Sequence, residues 1–164
     1  MPKAFSNTSP LRYLHQISVL DWLPELFGKI WVPAAVLREL EQGGRRGCHV
    51  PNLKDYGWIK LEDPRAMPSK CLALDLGPGE LAAMALALEN PGQVGLLDDA
   101  LARPVARAAG LTVWGTLKVL LEAEERGLTE RIGPLVDQLG NAGMSLSSDI
   151  QEGILVLAGE KGSG

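Results

Sequence analysis

The sequence predicts an α/β protein built on a central parallel sheet of four or five strands flanked by helices. Short apolar runs alternate with longer segments of helical periodicity, and clusters of Gly, Pro and Asn punctuate the changes between them. No run approaches the roughly 18 to 20 apolar residues of a membrane helix. At 164 residues the simplest organisation is a single domain over 1–161 with a frayed tail at 162–164.

Taken in order, residues 3–6 are a short strand. Ser9-Pro10 opens a helix, with Ser as cap and Pro at the first helical position; Leu11, Leu14 and Ile17 mark its apolar side. A second helix covers about Leu20 to Phe27 and stops at Gly28. Residues 29–32 are a buried strand, and Pro33 starts a helix from Ala34 to Gln42 that Gly43-Gly44 closes. The stretch 48–70 is irregular, with a strand at 58–61 and then a loop holding Pro64 and Pro68. Gly77-Pro78-Gly79 introduces a helix in which Leu81, Met84, Ala85 and Leu88 repeat at helical spacing. Asn90-Pro91-Gly92 is a turn, 94–97 a strand, and a helix runs to about Ala109; Pro104 delays its regular start to about Leu101. Gly110 ends it, 111–114 is a strand, and Thr116 begins a helix ending near Gly127. The remainder is helical with breaks at Gly133-Pro134, Gly140 and Gly143. Ser148-Asp149 precedes the last helix, with Glu152 placed for a capping box.

Composition narrows the function classes. The chain is 46% hydrophobic but only 5% aromatic, so Leu, Ala and Val fill the core. A net charge of −4 and a pI near 5.2 argue against a large nonspecific DNA-binding surface. No basic segment followed by an apolar run marks the N-terminus for export. Cys48 and Cys71 form no CxxC motif, so reduced thiols and a cytoplasmic location are expected.

The acidic residues carry the chemistry. In alternating β/α chains, residues just past the carboxyl ends of strands converge on one crevice. Asn7 follows the first strand, and Glu39 lies on the helix after the second. Glu80 opens the helix of Leu81 to Leu88, and Asp98-Asp99 ends the run Val94 to Leu97. Carboxylates gathered in one crevice raise one another's pKa values unless a cation neutralises them, which predicts a divalent-metal site and makes phosphodiester chemistry worth considering.

Plainer explanations exist for each residue. Glu39 flanks Val36 as a boundary residue would, and Glu80 suits the positive end of a helix. Asp98-Asp99 suits helix capping with an Asp99–Arg103 pair. Arg103 and Arg107 share a helix face from which they would grip phosphates or simply meet solvent, as would Arg45-Arg46. His15 and His49 lack ligand spacing, and the dispersed tryptophans suit packing better than base stacking.

Ser6-Asn7-Thr8-Ser9-Pro10-Leu11 and Ile30 through Leu40 resemble the first two motifs of PIN-domain proteins. Gly79-Glu80-Leu81-Ala82-Ala83-Met84-Ala85-Leu86-Ala87 resembles the third, and Leu96-Leu97-Asp98-Asp99 with Ala102-Arg103 the fourth. Gly115-Thr116-Leu117, with Glu124 and Arg126-Gly127-Leu128, is similar to an uncharacterised prokaryotic subgroup; together the segments span most of residues 3–128. The resemblance implies a three-layer α/β/α sandwich with an acidic cluster binding Mg²⁺ or Mn²⁺. It also implies endoribonuclease activity on single-stranded RNA, a toxin role beside an antitoxin protein, and pairing as a homodimer. Carried over, Glu39, Glu80 and Asp99 match the second, third and fourth acidic positions, with Asp98 beside the last. Thr8 and Thr116 match hydroxyl positions that hold an acid or a phosphate. Asn7 stands where the family usually has its first Asp. Its amide oxygen ligates a hard cation without bringing charge, which lowers affinity by roughly an order of magnitude or more. The alternative is therefore a catalytically degenerate module that binds nucleic acid or protein.

Overall fold

Short, fully buried strands followed by amphipathic helices leave a parallel sheet as the simplest way to bury both faces of each strand. The computed structural model describes residues 3–73, 75–100 and 102–160. In chain order these form β1 (Ala4–Ser6), α1 (Thr8–Gln16), α2 (Trp22–Phe27), β2 (Ile30–Val32), α3 (Ala34–Arg45), β3 (Ile59–Leu61) and α4 (Ser69–Leu72). There follow α5 (Pro78–Glu89), β4 (Val94–Leu96), α6 (Ala102–Ala108), β5 (Thr112–Trp114), α7 (Thr116–Glu125), α8 (Gly133–Asn141) and α9 (Ser148–Leu157). The sheet has five strands in the order β3-β2-β1-β4-β5, every pair parallel. Helices cover it, giving the α/β/α sandwich expected from the sequence.

Two apolar clusters hold the layers. The larger joins Ala4, Ile30, Val32, Val94 and Leu96 of the sheet to Leu11, Leu14, Leu23, Leu26, Val36, Val119 and Leu120 of the helices. The smaller joins Cys71, Ala83, Met84 and Ala87 to Leu97, Ala102 and Ala106. Tryptophans serve packing, as their dispersal suggests: Trp31 lies against Phe5 at 6.2 Å and Trp114 against Phe27 at 5.0 Å between ring centroids. The His15 and His49 rings stack on each other at 4.5 Å, and burial, followed by the neighbouring His49, pushes His15 below its usual pKa. Among the described residues Cys48 and Cys71 form no disulfide. Among the described residues no helix is long and apolar enough to cross a membrane.

Several boundaries differ from expectation for physical reasons. Helix α1 starts at Thr8, with Asn7 rather than Ser9 in the capping position, and the Asn7 side chain makes no capping bond. Helix α3 continues through Gly43-Gly44 to Arg45, because Val50 folds back over those glycines; a Cβ on either would lie 3.4 or 3.5 Å from its methyl groups. The expected loop after Pro68 contains α4, anchored by fully buried Cys71. Ser147, not Ser148-Asp149, caps α9 by accepting the Ile150 N–H at 3.1 Å, so the third helical position falls on Ile150 rather than Glu152. The expected start of α6 at Leu101 and the tail at 162–164 lie outside the described residues.

Leu120 on α7 is fully buried in the larger cluster. Truncating such a side chain removes transfer energy and leaves a cavity. Leu120→Ala is expected to lower unfolding free energy by about 2–5 kcal/mol. Urea titration checks this through a lower midpoint with an unchanged slope.

Candidate functional site

Strands β1 to β3 run outward in one direction and β4 and β5 in the other, so the order of the sheet reverses between β1 and β4. The loops at the carboxyl ends of such neighbouring strands diverge and open a crevice. Asn7 sits there: it follows β1, and its backbone N–H donates to the Leu96 carbonyl of β4 at 3.3 Å. Its side chain is 1% exposed, and neither the amide oxygen nor the amide nitrogen has a hydrogen-bond partner. Buried polar atoms left so are uncommon and costly, which marks this amide as a contact point for something further.

Glu39 reaches the same place from the second turn of α3. One carboxylate oxygen accepts from the Thr8 hydroxyl at 3.1 Å, the other from the Gly79 N–H at 3.2 Å. Thr8 adjoins Asn7, so the hydroxyl ties Glu39 to the end of β1. A Cβ on Gly79 would collide with the Glu39 carboxylate, so glycine lets that carboxylate reach the α5 N-terminus. Glu80, the next residue, accepts from the Gly77 N–H at 3.3 Å and completes half of a capping box. Burial raises its pKa first, the Asp99 charge adds to this, and the Glu39 charge and a hydrogen bond with Asp99 push the same way. Glu80 thus stands in the field of two neighbouring carboxylates, which disfavours its charged form.

Asp99 also accepts the Ala102 N–H at 3.1 Å, the capping role anticipated for it. Asp98 turns the other way. Both its oxygens engage Thr116, one on the backbone N–H and one on the hydroxyl, each at 2.7 Å. Burial raises the Asp98 pKa, opposed by these two bonds and by the charges of Arg103 and Arg12. Gly115 permits the approach, since a Cβ there would stand only 3.0 Å from the carboxylate.

The structure therefore brings Glu39, Glu80 and Asp99 into electrostatic contact beside Asn7 and Thr8, and sets Asp98 against Thr116. Arg103 lines the adjoining cleft, while Arg107, exposed in the last turn of α6, does not. Among the described residues no three Asp, Glu, His or Cys side chains stand close enough together to hold a metal ion as they are. The acids are held by protein donors instead. The orphaned Asn7 oxygen and the mutual repulsion of Glu39, Glu80 and Asp99 nevertheless suit a divalent cation.

The sequence reading missed Gly79 and Gly115 as points of close approach, and it missed Arg12 and Tyr13. Arg12 lies one helical turn after Thr8, a spacing that was available to find it. The partners of the two glycines are distant in sequence and left no local signal.

Two outcomes follow from this geometry. Gly79→Ala is expected to expel the Glu39 carboxylate from the α5 N-terminus and lower the melting temperature, whereas Gly77→Ala, with open space around it, leaves that contact intact. Glu80→Gln mimics the protonated acid. A raised folded-state pKa stabilises the fold below the ordinary glutamate pKa, and that contribution is lost as pH rises through the folded value. In EDTA-containing buffer, Glu80→Gln should therefore melt higher than wild type at neutral pH, and the gain should fade at acidic pH. A scanning fluorimetry series over pH measures both.

A family model described as a PIN domain matches residues 3–160. No curated protein matches the chain. The matched span takes in every strand of the sheet and every acid of the crevice, and the chain belongs to the PIN-domain superfamily, a nuclease-type fold whose members generally use divalent metals.

Proposed function

We propose that the chain is a metal-dependent endoribonuclease acting on single-stranded RNA, organised as a single domain over 1–161. The meeting of Glu39, Glu80 and Asp99 beside the unpartnered Asn7 amide carries this reading. Glu39, Glu80 and Asp99 would hold Mg²⁺ or Mn²⁺, with Asn7 contributing its carbonyl oxygen and Asp98 acting through water. An ion bound there supplies an activated water and neutralises charge on phosphoryl oxygens.

The chain's own groups perform the rest. Thr8 and the Gly79 N–H fix the direction of Glu39. Burial and the Asp99 and Glu39 charges raise the Glu80 pKa, so a cation held there would favour its ionised form. Asp98 locks the β4–α6 loop onto the start of α7 through Thr116, which keeps Asp99 facing the crevice. Arg103 lies beside the acids as a phosphate contact, and Arg107 extends the same helix toward the flanking strand of RNA. Exposed Val156 and Leu157 on α9 suit a homodimer or antitoxin contact, consistent with a toxin acting in the cytoplasm.

One observation favours a second reading, a noncatalytic PIN module that docks RNA or protein. Asn7 removes a charge where the family usually has Asp, and the remaining acids are already satisfied by protein donors.

Cleavage of labelled single-stranded RNA in Mn²⁺ separates the two. The nuclease reading requires activity that EDTA removes and that Asp99→Asn abolishes without changing the circular dichroism spectrum. Asn7→Asp restores a ligand charge and should tighten Mn²⁺ binding roughly tenfold by isothermal titration. Absence of cleavage in wild type together with unaltered Mn²⁺ affinity in Asn7→Asp would leave only the binding module.

A further inference from the structure

The acidic crevice opens into a larger cleft of about 590 Å³, within the usual range for a ligand site. Its walls differ in kind. Glu80, Asp98 and Asp99 form one end, and Arg103 and Lys118 stand on the side. Tyr13 of α1 lines it too, together with Met144 and Leu146 from the segment before α9 and Ile150 in the first turn of α9. An acid-lined metal site alone has no use for that apolar wall.

We propose that this cleft is a nucleotide subsite: Tyr13, Met144, Leu146 and Ile150 receive one base of a single-stranded RNA, and Arg103 with Lys118 takes the adjoining phosphate. The inference rests on the RNA reading above, and it assigns where the strand lies relative to the acids.

Three observations support this occupant. The first is an unmet donor: the Arg103 Nε is buried without a hydrogen-bond acceptor, although the side chain borders the cleft. Arg103 also has no carboxylate within ion-pair distance among the described residues, and a phosphate oxygen at the cleft would supply its charge with a partner. Lys118 is easily recruited, because its present partner is Glu122 one turn along the same exposed helix face, at 2.8 Å. The second is the Tyr13 ring. It lines the cleft, and the Arg12 guanidinium over it, 4.7 Å from its centroid, shows that the ring accepts a flat partner. The third is the pairing of unlike walls in one cleft: a nucleotide offers an anionic phosphate to Arg103 and Lys118 and a flat, uncharged base to Tyr13, Met144, Leu146 and Ile150.

The same wall sets specificity. Its uncharged hydrogen-bonding side chains are the hydroxyls of Ser9, Tyr13 and Ser145, and methionine adapts to shape. Stacking on such a surface tolerates any base. Discrimination among the four bases is therefore expected to be weak, with large planar purines favoured over uracil.

Anisotropy of a short fluorescent single-stranded RNA in EDTA measures binding without cleavage, and the Mn²⁺ cleavage assay runs in parallel. Tyr13→Ala and Ile150→Asp should each weaken binding roughly tenfold while Tyr13→Phe keeps wild-type affinity. Ile150 is 48% exposed, so its substitution tests the cleft without disturbing the core, and circular dichroism confirms the fold. Lys118→Ala should flatten the slope of log K against log salt by about 0.7. Wild-type affinity in both Ile150→Asp and Tyr13→Ala overturns the subsite, as does failure of the wild-type protein to bind RNA, including the case in which the cleft captures only a protein partner. Tyr13-dependent binding without Mn²⁺-dependent cleavage retains the subsite and removes the nuclease reading alone. Cleavage at wild-type kcat/KM in both variants does the reverse.

Discussion

Every helix that follows a strand in a parallel sheet begins at the same edge, so their unpaired N–H groups all point to one rim of the molecule. Four N–H groups in the first turn of each helix lack intrahelical acceptors, and the helix dipole makes that end favourable for negative charge. This chain places a carboxylate on four of these starts, and Asn7 stands at the fifth, that of α1. Asp63 accepts the first N–H of α3, Glu39 that of Gly79 in α5, Asp99 that of Ala102 in α6, and Asp98 that of Thr116 in α7. Such contacts contribute about 0.3–1 kcal/mol each and up to about 2 kcal/mol when partly buried. The acids of the crevice are therefore part of what holds the helices in place, and any chemistry there draws on groups already engaged in the fold.

That double role explains the charge balance. Asp98 is compensated by Thr116 and by the Arg103 and Arg12 charges, and Glu39 by Thr8 and Gly79. Glu80 accepts from the Gly77 N–H, yet burial and the Asp99 and Glu39 charges still raise its pKa. An Asp at position 7 would add a further carboxylate to a site only 1% exposed, with no donor directed at its side chain. A neutral amide avoids that burial cost while keeping an oxygen for a cation. The substitution thus trades ligand charge for stability of the cation-free fold.

The alternation of strand and helix was legible because each β-strand is a short apolar run bounded by turn residues, as at Asn90-Pro91-Gly92 before β4. Boundaries failed where a distant side chain overrode a local signal. Gly43-Gly44 has every mark of a helix stop, yet Val50 packs across it and the helix continues. Ser9-Pro10 carries a helix-start signature, yet β1 delivers the chain at Asn7 and the helix begins at once. Within the site, Glu39, Glu80 and Asp99 were traceable because position after a strand is encoded locally. The far wall of the cleft was not: Met144, Leu146 and Ile150 look like ordinary apolar residues until α7 and α9 bring them opposite the acids.

That wall depends on how the last helices are fastened. Glu160, just beyond α9, accepts from the Ile132 and Gly133 N–H groups at 2.7 Å each and so caps α8. Burial alone would raise its pKa, but its hydrogen bonds with Glu124, Ile132 and Gly133 and the Arg131 charge hold it below the usual range. Glu124 of α7 is raised, chiefly by its hydrogen bond with Glu160. Glu160 thus ties the segment after α9 to the start of α8, with Glu124 of α7 beside it, so three helices meet at one carboxyl pair. The crevice brings Glu80 and Asp99 together in the same way beside helix starts. There the pair lines an open cleft, where a cation has access, whereas Glu160 is engaged by the two N–H groups that begin α8. Surroundings, rather than the carboxyl pair itself, separate the candidate functional site from the structural clasp.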